Sequence, residues 1–120
     1  MQAADRLLEI ERLCSGLTFA VVPLDLDGET LRVILYLNNG STLRITEQWQ
    51  GSAIRKYSYY LLNSDNTLHT GWDNAPHHHR LKLAQFPHHK HVGSQGNIQD
   101  SSEASLEAVL QVIREQIFPK

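Results

Sequence analysis

The sequence predicts an α+β fold in which one antiparallel meander sheet of about five strands packs against an N-terminal and a C-terminal helix. Apolar residues recur at helical spacing near both ends of the chain. Between the ends they alternate with polar residues in short runs that turn residues separate, as in strands with one buried face. Consecutive strands joined by short turns pair most simply as an antiparallel meander.

The two predicted helices lie at the ends of the chain. The first covers Ala3 to Ser15 and is followed by Gly16, which favours the left-handed conformation of a C-cap. The second follows Asp100-Ser101-Ser102-Glu103, which has the spacing of a capping box. One face of this second helix carries Leu106, Val109, Leu110, Ile113 and Ile117. We expect both apolar faces to pack on the sheet.

Five alternating runs supply the predicted strands. The first begins at Leu17 and meets breaking signals at Pro23 and Asp27-Gly28. The clearest hairpin is formed by the two runs on either side of Asn38-Asn39-Gly40-Ser41. The last two strands are predicted in Ile54 to Leu62 and in Thr67 to Asp73.

Composition indicates one globular domain over residues 1–120, since 120 residues with 41% hydrophobic content can bury a single modest core. The net charge of −2, with seven histidines, favours no particular partner and leaves nucleic acid open. The only cysteine, Cys14, is predicted to be a core residue. Neither a signal peptide nor an apolar run of the ~20 residues that span a membrane is present, so a cytoplasmic location without membrane contact is expected.

A histidine-rich loop is predicted over about residues 74–97, where prolines and glycines interrupt the alternation and six of the seven histidines lie. In an extended Pro87-His88-His89-Lys90-His91, His89 and His91 share one face, and His88 and Lys90 share the other. Near pH 7 one imidazole can accept a proton while another donates one, so His89 and His91 are the first candidates for an acid–base pair. Lys90 could hold a phosphate.

Residues before this loop add further candidates. Asp73 could orient an imidazole or ligate a metal, although Asp-Asn is also ordinary turn chemistry. His77 begins a triplet that could converge on the site or form a solvated loop.

A second constellation lies on the fourth predicted strand, Arg55-Lys56-Tyr57-Ser58-Tyr59-Tyr60. Alternation places Arg55, Tyr57 and Tyr59 on one face and Lys56, Ser58 and Tyr60 on the other. A cation beside aromatic rings suits phosphate contact with base stacking, as single-stranded RNA requires. Alternatively, the rings fill the core.

Three segments together resemble a known family: Lys56-Tyr57-Ser58-Tyr59, then Trp72-Asp73-Asn74-Ala75-Pro76-His77-His78, then Phe86-Pro87-His88-His89-Lys90-His91-Val92. They are similar to the TumE-type proteins, the toxin components of prokaryotic toxin–antitoxin pairs. The resemblance implies a cytoplasmic protein with a cognate antitoxin as partner, directed at RNA or another part of translation.

The leading hypothesis is a metal-independent endoribonuclease toxin that needs no cofactor. One loop histidine, among His88, His89 and His91, would deprotonate the ribose 2′-hydroxyl, and another would protonate the leaving 5′-oxygen. Positive charge from Arg55 or Lys90 would stabilise the transition state, and Lys56, Tyr57 and Tyr59 would bind RNA.

Two alternatives stay open. One is a zinc, iron or manganese site, hydrolytic or structural, made by Asp73 with His77, His88, His89 or His91. The other is a non-enzymatic module that binds nucleic acid or a partner protein. The substrate and the oligomeric state are also open.

Overall fold

The computed structural model describes residues 1–76 and 81–118, and in these residues it contains a seven-stranded antiparallel sheet and two helices. The strands lie side by side in chain order. They are β1 (Thr18–Asp27), β2 (Thr30–Leu37), β3 (Thr42–Gln50), β4 (Ala53–Leu62), β5 (Leu68–Asp73), β6 (His89–Val92) and β7 (Ile98–Asp100). The helices are α1 (Ala3–Leu13) and α2 (Leu106–Gln116). No helix within the described ranges is long and apolar enough to cross a bilayer.

The prediction of an antiparallel meander with two helices is confirmed, but the predicted strand number of about five is wrong. The two additional strands are β6, inside the predicted loop, and β7 at its end. β6 was missed because the buried members of its alternation are His89 and His91, not apolar residues. β7 has only three residues, too few to show a period.

Two local signals were also misread. Pro23 lies inside β1 and does not end it, because β1 is an edge strand where a missing N–H need not break a ladder. The capping box at residues 100–103 does not start α2. The N-cap is Ser105, whose side chain accepts a hydrogen bond from the Ala108 N–H. By contrast, Gly16 does adopt a positive φ of 83° just beyond α1.

Both helices pack on the same face of the sheet, where they close one apolar core. The strands contribute Leu31, Val33, Leu35, Leu37, Leu43, Ile45, Tyr57, Tyr59, Leu61 and Trp72. The helices contribute Ala3, Ile10, Leu106, Val109, Leu110 and Ile113. Cys14 is buried beside them, as predicted.

A buried ion pair joins the helices to the sheet within this core. The Arg6 Nε and Nη2 donate to the two carboxylate oxygens of Glu47 at 2.9 and 3.0 Å, and Arg6 Nη1 reaches Glu107 on α2 at 3.0 Å. The Tyr59 hydroxyl and the Trp49 indole N–H also donate to Glu47. Every oxygen of this buried carboxylate is therefore hydrogen-bonded, which offsets its desolvation.

Strand alternation sends a second set of side chains to the face away from the helices, which we call the distal face. Neighbouring strands place Thr46, Ser58, Asp73 and His89 in one row across it. The next row contains Tyr60, Gly71 and His91. Polar and histidine side chains thus meet at one place on the sheet, although they come from four strands.

Replacing Leu110 with alanine should lower the free energy of unfolding by about 2–5 kcal/mol, because its side chain is only 2% exposed in the core. Leu8→Ala is the matched control, since Leu8 is 59% exposed and should change it by less than about 0.5 kcal/mol. Denaturant unfolding measures both. Equal effects would contradict the packing of α2.

Stability should also fall at alkaline pH because of Tyr59. Burial and the neighbouring Glu47 carboxylate raise the pKa of Tyr59 above its ordinary value. Above about pH 10 the unfolded chain loses this proton while the folded chain keeps it, so rising pH favours unfolding by up to about 1.4 kcal/mol per pH unit. We expect Tyr59→Phe to flatten the fall in unfolding free energy above pH 10. Parallel curves for the two proteins would refute this.

Candidate active site

The pairing of β5 with β6 brings one carboxylate and two imidazoles together on the distal face. Asp73 lies opposite His89, and Gly71 lies opposite His91. His89 Nε2 is 2.9 Å from Asp73 Oδ1, and His91 Nε2 is 3.3 Å from Asp73 Oδ2. All three residues are buried: Asp73 is 7% exposed, His89 is 1% exposed and His91 is 5% exposed. We call these three residues the Asp-His cluster.

The other ring nitrogen of each histidine is held by the backbone. His89 Nδ1 lies 2.9 Å from the Pro87 carbonyl oxygen, and His91 Nδ1 lies 2.8 Å from that of Gln95. A carbonyl oxygen only accepts hydrogen bonds, so both Nδ1 atoms must carry a hydrogen. This fixes the tautomer and directs both Nε2 atoms at Asp73.

Two further donors hold the Asp73 carboxylate in place. The Ala75 N–H donates to Oδ1 at 3.0 Å, and the Tyr60 hydroxyl donates to Oδ2 at 3.2 Å. Burial, followed by the charge of Asp73 and the hydrogen bond to it, raises the pKa of Tyr60 to about 12. Tyr60 therefore remains a protonated donor at neutral pH.

Asp73 also lines a cleft of about 320 Å³ on the distal face. The other lining residues come from β3, β4 and the segment after β5: Thr46, Gln48, Lys56, Tyr57, Ser58, Tyr60 and Ala75. Lys56 supplies a positive charge, and hydroxyl and amide groups supply donors and acceptors. Such a lining suits an anionic, hydrogen-bonding ligand.

The predicted alternation along β6 is confirmed, and it separates the histidine motif into two environments. His88 and Lys90 lie on the helix side of the sheet, away from the Asp-His cluster. His88 Nδ1 is 2.9 Å from the Tyr57 hydroxyl, and Lys90 Nζ is 3.5 Å from Glu103. Burial opposes ionisation of Glu103, but a hydrogen bond from Ser102 and the Lys90 charge outweigh it and lower its pKa. Lys90 thus has a carboxylate partner of its own.

The tyrosines chosen for base stacking lie in the core. Tyr59 is 0% exposed, so its ring has no face open to a base. Tyr57 is buried too, and its ring stacks on Tyr59, although the residue also lines the cleft. Arg55 is exposed near the start of β4, and its backbone oxygen accepts from the Asn74 amide. His77 lies outside the described residues.

Sequence reasoning missed Tyr60 and Gly71 as members of the site. Tyr60 pairs with Gly71 across β4 and β5, and its ring lies over the glycine on the way to Asp73. A glycine inside a strand often marks such a close approach, so Gly71 between Thr70 and Trp72 was the available signal.

Gly71→Ala should displace the Tyr60 ring, because the added Cβ would overlap it. We expect a loss of about 1–3 kcal/mol in the free energy of unfolding. Gly96→Ala is the control, since nothing lies within 4 Å of a Cβ there. In a double-mutant cycle, Gly71→Ala should cost less when Tyr60 is alanine. An additive cycle would show that the ring does not depend on the glycine.

Comparison with known proteins confirms the resemblance to the TumE family. The model of one protein family, described as Toxin TumE, matches residues 4–117, which is nearly the whole chain. No curated protein and no solved structure matches the chain. A match over this length implies a toxin and, in general, an antitoxin as its partner. The chain belongs to the TumE toxin family.

Proposed function

We propose that this chain is the toxin of a toxin–antitoxin pair and acts in the cytoplasm as an endoribonuclease, with RNA bound in the cleft beside the Asp-His cluster. Family membership supports the toxin role. The observation that carries the chemistry is the position of Asp73, which belongs both to the cluster and to the cleft wall. A ligand in the cleft would therefore contact the cluster through this carboxylate.

The cleft offers the groups that phosphodiester cleavage requires. When a ribose 2′-oxygen attacks phosphorus, its proton must leave, the bond to the 5′-oxygen breaks, and the 5′-oxygen gains a proton. The phosphate oxygens gain negative charge in the transition state, which a nearby cation stabilises. Lys56 lies in the cleft for this role, and the protonated Tyr60 hydroxyl lies beside Asp73.

His89 and His91 remain the residues on which we expect turnover to depend. Both contact the same carboxylate, so the three side chains should act as a unit. Their burial places Asp73, not the imidazole rings, at the cleft wall. The histidines would then act on RNA through Asp73 or through a cation held between the three side chains.

RNA-cleavage assays on the purified chain test this function with two lysines as a matched pair. We expect Lys56→Ala to lower turnover by at least about tenfold, since it removes the cleft cation. Lys90→Ala should change turnover by less than about threefold, because Lys90 lies on the other side of the sheet with Glu103. Asp73→Asn should lower it by about 10²–10⁴ with RNA binding retained.

Two results would contradict the proposal. A larger effect for Lys90 than for Lys56 would move the site to the helix side of the sheet. Binding of RNA without turnover by the unchanged protein would favour the non-enzymatic module. His69→Ala adds a control for loss of a histidine as such, since His69 is an exposed residue of β5.

A further inference from the structure

We propose that the Asp-His cluster is a binding site for one divalent transition-metal ion, with Zn²⁺ as the first candidate. The ligands would be His89 Nε2, His91 Nε2 and a carboxylate oxygen of Asp73, all of which lie within 4.8 Å of one another. Two imidazoles and one carboxylate form a donor set that zinc, iron and manganese accept. Three protein ligands would leave a coordination position for water or substrate.

Two separations between histidine nitrogens and Asp73 oxygens are close to those that a bound ion requires. With bonds of about 2.0–2.2 Å, a tetrahedral ion holds its ligand atoms about 3.3–3.5 Å apart. His91 Nε2 is already 3.3 Å from Asp73 Oδ2, and His89 Nε2 is 2.9 Å from Oδ1. These two distances run to different oxygens of Asp73, and the three ligand atoms lie within 4.8 Å of one another, so small rotations of the side chains would bring them to one ion.

The orientation of both rings is the one that metal-bound histidines adopt. A metal ligand usually donates its second ring N–H to a carbonyl or carboxylate, which fixes the tautomer and the ring plane. His89 and His91 do this with the carbonyl oxygens of Pro87 and Gln95. Both rings therefore direct the metal-binding nitrogen at the same carboxylate.

Electrostatics also favour one shared cation. The rings of His89 and His91 lie with their centroids 5.0 Å apart beside one buried carboxylate. A single divalent ion between the three side chains would bring two imidazole nitrogens and one carboxylate oxygen to the same positive charge.

The carboxylate is supported from outside the cluster as well. The Ala75 N–H and the Tyr60 hydroxyl donate hydrogen bonds to the two oxygens of Asp73, and metal-binding carboxylates are commonly held by such donors. Asp73 lines the cleft, so the cluster shares one residue with the proposed RNA-binding surface. Held by Asp73, His89 and His91, a divalent ion would supply a Lewis acid for a phosphoryl group. This catalytic use rests on the proposed function, whereas metal binding itself does not.

Zinc titration of the untagged full-length chain, stripped with a chelator, tests the site by calorimetry. We expect binding of one Zn²⁺ per chain and a visible absorption band when Co²⁺ takes its place. Three variants should each weaken Zn²⁺ binding by at least about 10–100-fold, the loss that is typical when a group supporting a metal ligand is removed. These variants are His89→Ala, His91→Ala and the nearly isosteric Asp73→Asn. His88→Ala should leave affinity within about threefold, since this adjacent histidine lies on the other side of the sheet.

The sequence contains a competing chelator, His77-His78-His79, so a variant with all three changed to alanine is needed. One-to-one binding that survives in this variant and is lost in Asp73→Asn supports the site. If Zn²⁺ binding is lost in the triple variant and kept in the cluster variants, the proposed site is overturned, and the bound zinc is an adventitious ion only. No binding of Zn²⁺, Co²⁺ or Mn²⁺ by the unchanged chain overturns it too. Circular dichroism checks that each variant folds, and Zn²⁺ should raise the melting temperature of the unchanged chain but not that of Asp73→Asn.

Activity assays separate this inference from the proposed function. RNA cleavage that chelator abolishes and Zn²⁺ or Mn²⁺ restores supports both. Stoichiometric binding without RNA cleavage supports the metal site and overturns the ribonuclease. If RNA cleavage persists in metal-free protein, the catalytic use of the ion is overturned. That result would favour the hypothesis in which His89 and His91 transfer protons.

Discussion

The antiparallel register between β5 and β6 is the constraint on which the candidate site depends. Because Asp73 lies opposite His89 and Gly71 opposite His91, strand alternation puts the carboxylate and both imidazoles on the distal face. If β6 slipped by one residue along β5, His88 and Lys90 would take the places of His89 and His91 on the distal face. Backbone pairing therefore determines which side chains form the site, and hydrogen bonds determine how those side chains are oriented.

The sheet separates two buried carboxylates whose partners are of different kinds. On the helix side, Glu47 is paired with Arg6, a cation that keeps its charge at any physiological pH. On the distal face, Asp73 is paired with His89 and His91, whose charge can change and whose nitrogens can bind metals. The first arrangement suits a structural role, because nothing about it varies. The second can gain or lose a cation, which is what a reactive site requires.

The fold was predictable where burial follows hydrophobicity. The helices and strands β2, β3 and β4 bury leucine, isoleucine, valine and tyrosine, so their periods are visible in the sequence. β6 buries His89 and His91 instead, and contacts with Asp73 and two backbone carbonyls help to make these residues suitable for the interior. These hydrogen-bonding partners come close to the histidines through the tertiary structure, so the local sequence pattern does not reveal them. A pattern of histidines therefore indicated a loop where the chain forms a strand.

The candidate site was predictable only in part, for a related reason. Alternation correctly paired His89 with His91, but it gives no information about which face the helices cover. The same uncertainty led to Tyr59 as a ligand-binding residue, although it is buried on the helix side and Tyr60 shares the other face with Asp73. Which ring nitrogen faces Asp73 depends on where the histidine Nδ1 atoms point. That direction comes from two carbonyl oxygens whose positions follow from the turns around β6, which no period in the sequence encodes.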